Sequence, residues 1–331
     1  MNLLVTGGLG FIGSNFIKFM LASYKECKII NLDKITYVGN LDNLKKVKSN
    51  SSYKFVQGDI CDAKLVETVI KEKEIDVIVN FAAESHVDRS FLTPHVFVQT
   101  NIMGTQILLD LAMKNDIKKY VQISTDEVYG ELGNNGYFNE KTSLSPTNPY
   151  SASKAGADFI VKAYHDTYGI DVSFLRFANT YGPFQYPEKL IPMTITNALE
   201  NNYIAVHGNG ASIRDWLFVK DNIRAIDLVI HKGKAGNVYN IGAREERSTI
   251  DVVETILEIL DKPKSLIHFV DDRLSQDYRY ANDPSKIMEE LGWFPTYDFR
   301  EGILETIKWY EHNNTWWQPL KDIGKESLLL R

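Results

Sequence analysis

The sequence predicts an α/β fold, a doubly wound parallel sheet in the first half followed by a smaller C-terminal α/β domain that binds substrate. Three observations carry this. Short apolar runs alternate with helical patterns over the first two-fifths of the chain, as βαβ units require. A glycine-rich loop joins the first predicted strand to the first predicted helix. After Asn179 the pattern loosens, and Pro183, Pro187 and Pro192 fall within ten residues, which points to a substrate-side excursion.

The elements follow in order. Apolar runs predict strands over 3–6, 28–32, 54–57, 77–81, 120–123 and 172–176. Helical periodicity predicts helices over 12–23, 63–72, 96–114 and 150–168. Beyond these, helices are expected over 191–200, 220–230, 250–260, 284–291 and 300–311, with short strands over 204–206, 238–241 and 266–269. The expected division is a cofactor domain over 1–178, to which some later segments return, a substrate domain over 179–320, and a loosely held tail over 321–331.

Composition narrows the function classes. The 331 residues are 44% hydrophobic and 24% charged, ordinary for a chain that buries a core. The net charge is −6 and no basic stripe occurs, so nucleic acid is not an expected partner. Cys27 and Cys61 are too few for a disulfide framework and read as reduced, small core residues. No apolar run approaches the roughly 18 residues of a membrane helix, and the N-terminus enters a strand rather than a signal sequence. The expected location is the cytoplasm, with no membrane partner and no metal.

Gly7, Gly10 and Gly13 lie between a predicted strand and a predicted helix. Such a loop lets backbone amides approach a pyrophosphate, which then rests on the positive end of the helix. Asp33 ends the second strand, twenty residues beyond Gly13. A carboxylate there accepts hydrogen bonds from a ribose 2′-hydroxyl and repels a 2′-phosphate. A Rossmann-type domain binding NAD rather than NADP is therefore expected. Asp59, after the third strand, reads either as a strand-end turn residue or as a contact on the adenine side.

Tyr150 and Lys154 are four apart at the start of a helical pattern and share a face. An ammonium near a phenol favours its ionised form, so the pair suits proton abstraction from a carbinol. Thr125, at the end of the preceding strand, is placed to bind the same oxygen.

These features resemble the extended short-chain dehydrogenases/reductases, in the subset that acts on nucleotide sugars. The matching residues are Thr6-Gly7-Gly8-x-Gly10-Phe11-Ile12-Gly13, Asp33, Phe81-Ala82-Ala83, Thr125, Tyr150-x-x-x-Lys154 and Asn179-x-Tyr181-Gly182-Pro183. The resemblance spans residues 1 to about 317. It implies cofactor contacts from Gly7, Gly10, Phe11, Ile12, Gly13, Asp33, Lys34, Thr36, Asp59, Ile60, Phe81, Ala82, Ala83, Ser85, Thr100, Tyr150 and Lys154.

Fold cannot choose among the reactions of this group, but the residues after Thr125 can. Asp126 and Glu127 form an adjacent carboxylate pair at the sheet's C-terminal edge. A 4-epimerase has no use for a second acid and base; a 4,6-dehydratase does. Oxidation at C4 acidifies the C5 hydrogen, a base removes it, an acid protonates the departing C6 hydroxyl, and hydride returns to C6. The triplet resembles the signature of the dTDP-glucose 4,6-dehydratases. That likeness implies Asp126 as the acid toward O6, Glu127 as the base at C5, Tyr150 as the base at the C4 hydroxyl and Thr125 as its hydrogen-bond partner. A nucleotide-sugar 4-epimerase and a non-catalytic NAD-bound regulator are the competing classes.

The resemblance also places Ser85, Thr125, Asp126, Glu127, Asn179, Lys189, Leu190, His207, Arg214, Thr249 and Arg273 on the substrate, with Lys189, Arg214 and Arg273 as diphosphate clamps. The nucleoside pocket departs from the thymidine pattern. Ile204-Ala205-Val206-His207-Gly208 stands where Leu-Pro-x-Tyr-Gly is usual, and Asp272-Arg273-Leu274-Ser275-Gln276-Asp277 where Asp-Arg-Pro-Gly-His-Asp is usual. Thr249 replaces an Asn, and Asp221-Asn222 an Asp-His. These changes leave UDP, GDP or CDP hexoses and N-acetylhexosamines open beside dTDP-glucose. Apolar residues on more than one face of 96–114 and 150–168 predict a second packing partner, and the resemblance implies a homodimer.

Overall fold

The first half alternates strands and helices because its strands are buried on both faces and read as apolar runs. A computed structural model describes residues 1–272 and 277–329, with side chains through Lys321. In chain order the elements are β1 (Asn2–Thr6), α1 (Phe11–Ser23), β2 (Lys28–Asp33), β3 (Tyr53–Gln57), α2 (Ala63–Glu72), β4 (Val77–Asn80), the short α3 (Val87–Leu92) and α4 (Pro94–Phe97), α5 (Thr105–Lys114), β5 (Lys119–Thr125), α6 (Pro149–Tyr168) and β6 (Val172–Phe177). There follow β7 (Asn179–Tyr181), α7 (Leu190–Leu199), β8 (Ile204–His207), β9 (Ile213–Phe218), α8 (Val219–Lys232), β10 (Asn237–Ile241), β11 (Glu246–Ser248), α9 (Thr249–Ile259), β12 (Ile267–Val270), α10 (Ser285–Leu291), α11 (Phe299–His312) and α12 (Asn314–Leu329).

Seven parallel strands form the main sheet in the order β10-β6-β5-β4-β1-β2-β3. The direction of winding reverses between β1 and β4, which opens a crevice at their C-terminal ends. Alternation along the strands sends Leu3 and Val5 to one face and Leu4 to the other. The Leu3 face packs against Phe16, Ile17 and Met20 of α1 and Ile223, Ile226 and Ile230 of α8. The Leu4 face packs against Val66 and Ile70 of α2, Leu108 and Leu111 of α5, and Val161 of α6. Helices on both faces of one parallel sheet make the doubly wound fold that the sequence predicts. The return of a late segment to this sheet is made by β10.

The later residues add a three-stranded sheet, β11-β9-β7, and a two-stranded parallel sheet, β12-β8. Three predictions need correction. The single helix expected over 96–114 is interrupted by a π-helical segment, Val98–Gly104, which turns Thr100 and Asn101 inward. Apolar periodicity runs on either side of such an inserted turn and conceals it. The tail expected to be loose from residue 321 is helical through Leu329. Cys61 is only half-buried, unlike Cys27, and both thiols are unbridged.

Candidate active site

The glycine loop starts from β1, and its backbone explains the glycines. Gly7 has φ +68°, and a Cβ there would lie 2.6 Å from the Ala82 nitrogen. A Cβ on Gly13 would lie 2.7 Å from the Gly7 oxygen, so α1 can approach the loop only without a side chain at that position. Gly10 caps α1 with no side-chain hydrogen bond, and its first turn holds no acidic residue. The helix therefore presents unsatisfied amides and an uncompensated positive end to the crevice.

At the adjoining strand end the Asp33 carboxylate accepts from Leu9 N (3.0 Å) and Ile35 N (2.9 Å). Burial raises its pKa against the pull of those amides and of Lys34. Two of its roughly four lone-pair sites remain for a ligand hydroxyl. Lys34 is engaged, with Nζ 3.6 Å from Asp59 and 3.7 Å from Glu84, and donates to Thr100 at 3.2 Å. Asp59 also accepts from Cys61 N at 2.9 Å, so it is a turn residue as well as part of the cleft wall. The uncompensated amides and the carboxylate on the same cleft fit a dinucleotide that lacks a 2′-phosphate.

All seventeen residues expected at the cofactor line one cleft of about 330 Å³. Thr125, Asp126, Glu127, Asn179 and Lys189 line it too. A second cavity of about 410 Å³ adjoins it and shares Asn179, Tyr186 and Glu188 with it. Its wall includes Leu190, His207, Arg214 and Thr249. The Ser212 and Thr249 hydroxyls lie 2.9 Å apart, and His207 Nδ1 is 3.0 Å from the Asp271 carbonyl. Lys189 is on the first cleft, where Nζ donates to Ser85 O at 3.2 Å. Arg273 lies outside the described residues.

The reactive residues are set by two local structures. Asn148 caps α6 in a reciprocal pair with Ser151, and Pro149 opens the helix, which fixes Tyr150 in the first turn and Lys154 one turn on. Thr125 accepts from Glu127 N at 3.2 Å and thereby caps the tight turn Asp126–Tyr129. Its side chain is also hydrogen-bonded with Tyr150.

Asp126 is 1% exposed, and its Oδ2 has no hydrogen-bond partner among the described residues. Burial, then Glu127 and Asp215, push its carboxyl well above the usual range, against Arg214 and Thr125. Asp126 thus holds a proton more tightly than an ordinary carboxyl, beside its neighbour Glu127. The expected lowering of the Tyr150 pKa by Lys154 is not what this arrangement produces. Burial and Glu127 raise it, with the Thr125 hydrogen bond opposing them. Lys154 instead points Nζ at the Ile123 carbonyl, 2.6 Å away. Its own pKa is lowered by burial to about 8, with Asp158 pulling the other way.

Sequence reasoning missed several wall residues. Glu188 is half-buried, accepts from the Tyr37 hydroxyl at 3.0 Å and lies 3.6 Å from His86 Nε2. Trp316 of α12 lines the first cleft, and Leu320 and Lys321 line the second. The adjacent Trp316-Trp317 pair was the available signal that this segment docks.

Comparison with known proteins gives a consistent assignment. The GDP-mannose 4,6 dehydratase family matches residues 4–306. A dTDP-glucose 4,6-dehydratase of Xanthomonas campestris pv. campestris (strain B100) is 45% identical, over 96% of this chain and 95% of its own. A crystal structure of dTDP-glucose 4,6-dehydratase from Bacillus anthracis, in complex with NAD, is 50% identical with a TM-score of 0.92, over 97% of this chain and 99% of that one. DesIV, the dTDP-glucose 4,6-dehydratase of Streptomyces venezuelae, solved with NAD and a second ligand, is 44% identical with a TM-score of 0.94, over 97% of this chain and 100% of that one. The chain belongs to the nucleotide-sugar 4,6-dehydratases, the family of that GDP-mannose enzyme and of these dTDP-glucose enzymes, within the extended short-chain dehydrogenases/reductases.

Proposed function

We propose that this protein is an NAD-dependent hydro-lyase that converts dTDP-glucose to dTDP-4-keto-6-deoxyglucose and water. The observation that carries it is the carboxylate pair Asp126-Glu127, one member sealed from water, beside Tyr150 and Thr125 at the crevice. NAD, when bound, accepts a hydride from C4 and returns it to C6. The protein's own groups do the rest. The loop from Gly7 to Gly13 and the α1 N-terminus hold the pyrophosphate, and Asp33 holds the adenosine ribose. Thr125 orients the C4 oxygen, and Tyr150 takes its proton as the phenolate, a form that its burial and Glu127 oppose and the Thr125 hydrogen bond favours. Lys154 places a cation beside the nicotinamide ribose. Glu127 removes the C5 proton and Asp126 delivers its proton to the leaving C6 oxygen; Glu127, having exchanged its proton with solvent, returns one to C5 as hydride reaches C6. Residues 1–178 with β10 serve the cofactor and 179–320 the nucleotide sugar.

The side chains at the second cavity favour one further reading. His207 and the Ser212–Thr249 hydroxyl pair are able both to donate and to accept, so they do not by themselves select thymine. A dehydratase of another NDP-hexose or of an N-acetylhexosamine is the alternative. Turnover of dTDP-, UDP-, GDP- and CDP-hexoses, read by product mass, decides between them. Highest kcat/KM on dTDP-glucose is expected; no activity on it beside good activity on another sugar nucleotide rejects the first reading.

A homodimer is the proposed assembly. Phe159 of α6 is 62% exposed and Val98, beside α5, is 53% exposed, on helices that pack together. Large apolar groups grouped on one face favour a protein partner. Light scattering should give twice the chain mass, and Phe159→Glu should shift the protein toward monomer. A wild-type monomer rules this assembly out. The proposed compartment is the cytoplasm, in keeping with the two unbridged thiols. Among the described residues no helix is long and apolar enough to cross a membrane.

A further inference from the structure

Arg214 and Asp277 join two regions that the chain keeps apart in sequence. Arg214 lies on β9 in the wall of the second cavity. Its Nη1 donates to the carbonyls of Ile213 (2.7 Å) and Tyr278 (3.2 Å), and its Nη2 to that of Asp277 (2.9 Å). The guanidinium lies 4.4 Å from the centre of the Tyr280 ring. Among the described residues three of its five N–H donors are used on backbone, and Nε–H and one Nη2–H remain for an anionic ligand.

The Asp277 side chain makes a second set of contacts. Its Oδ2 accepts from the Thr147 hydroxyl at 2.6 Å and from the Tyr280 hydroxyl. Both Asp277 (8% exposed) and Tyr280 (3%) are buried, so the bond between them is shielded from water, while Thr147 donates from the surface. Thr147 immediately precedes Asn148, the cap of the helix whose first turn carries Tyr150. Tyr280 packs in one apolar cluster with Val128 and Tyr129, on the turn that carries Asp126 and Glu127. Burial and the nearby Glu127 keep the Tyr280 phenol protonated, so it is a donor to Asp277. One carboxylate therefore ties the backbone gripped by Arg214 to both catalytic segments.

We propose that Asp277 is a positioning residue that couples the anchoring of a nucleotide diphosphate at Arg214 to the helix carrying Tyr150. The proposal rests on the nucleotide-sugar reading of the second cavity. Its physical basis is that binding energy from the non-reacting part of a substrate raises kcat only when it orients groups at the reacting centre. The link that does so here is two hydrogen bonds on one oxygen, and its use does not depend on the carboxylate charge.

Three variants of the full chain test it, with dTDP as the calorimetric probe and dTDP-glucose as substrate. Asp277→Ala should weaken dTDP binding about tenfold and lower kcat as well, with bound NAD unchanged. Asp277→Asn keeps an oxygen that can accept both hydrogen bonds and should stay within about threefold of wild type in both quantities. Thr147→Val removes a single hydroxyl from an exposed position. It should lower kcat about threefold and leave the dTDP Kd unchanged. A dTDP Kd unaltered by Asp277→Ala would overturn the proposal, as would a Thr147→Val kcat equal to wild type. Equal damage from Asp277→Asn and Asp277→Ala would do the same. Failure of the wild-type protein to bind dTDP would instead overturn the functional reading, and the proposal with it.

Discussion

Replacing Glu127 with Gln is expected to lower dehydration of dTDP-glucose by about 10²–10⁴-fold without changing the bound NAD. Gln has the same shape, so packing is kept, and the backbone amide of residue 127 still donates to Thr125. What is lost is the only function that a neutral amide cannot perform, acceptance of the C5 proton. In the proposed reading the cofactor rests on the glycine loop and Asp33, whose contacts this substitution does not alter. Steady-state turnover and the NAD released on denaturation are the two readings. Full dehydration by this variant would refute Glu127 as the base.

Asp126→Asn is expected to act oppositely on catalysis and on stability. Catalysis should fall by about 10²–10⁴-fold because an amide has no proton to give to the leaving oxygen. Stability should improve, with a dependence on pH that follows from the sealed position of Asp126. Its carboxyl has an ordinary pKa of 3.8 in the unfolded chain and a value well above that when folded. Between those two values the folded state binds a proton that the unfolded chain releases, so the wild type loses stability as pH rises through that window. Asn carries no such slope. The Tm of the variant minus that of the wild type should therefore grow as pH rises from about 4, then level off above the folded pKa. A gain of about 2 °C or more at pH 8 over pH 4 is expected in scanning calorimetry. A difference that stays flat with pH would contradict a protonated Asp126.

Much of the cofactor half was legible in the sequence for a physical reason. Parallel strands buried on both faces appear as uninterrupted runs such as Leu3-Leu4-Val5, and the loop glycines are demanded by backbone approach at Gly7 and Gly13. The carboxylates stand out because Asp33 ends β2, and Asp126 and Glu127 directly follow β5, on the ligand side of the sheet.

The later half was legible in part. β7 and β11 have three residues each, too few to show a period. β9 carries Arg214 and Asp215 in its length, and Asp215 is buried with Oδ1 accepting from Ala243 N and Glu245 N, a pairing that no local pattern announces. α12 contains Pro319, which reads as a stop. Its start is held instead by a long-range bond from Trp316 Nε1 to Asn43 and a bond from Trp317 Nε1 to Tyr310 O at the end of α11. The spacing of Tyr150 and Lys154 was read correctly, but spacing does not say where an ammonium points. Lys154 Nζ is satisfied by a β5 carbonyl, and the Tyr150 proton is governed by burial and Glu127.

In the proposed reaction one proton pair and one returning hydride rearrange the sugar between C4 and C6. It is tested most directly by the fate of deuterium at C4 of dTDP-glucose. The expected product is lighter by one water, carries the deuterium at C6 and has gained a solvent proton at C5. Deuterium kept at C4 in a product of unchanged mass, or lost to solvent, would contradict it.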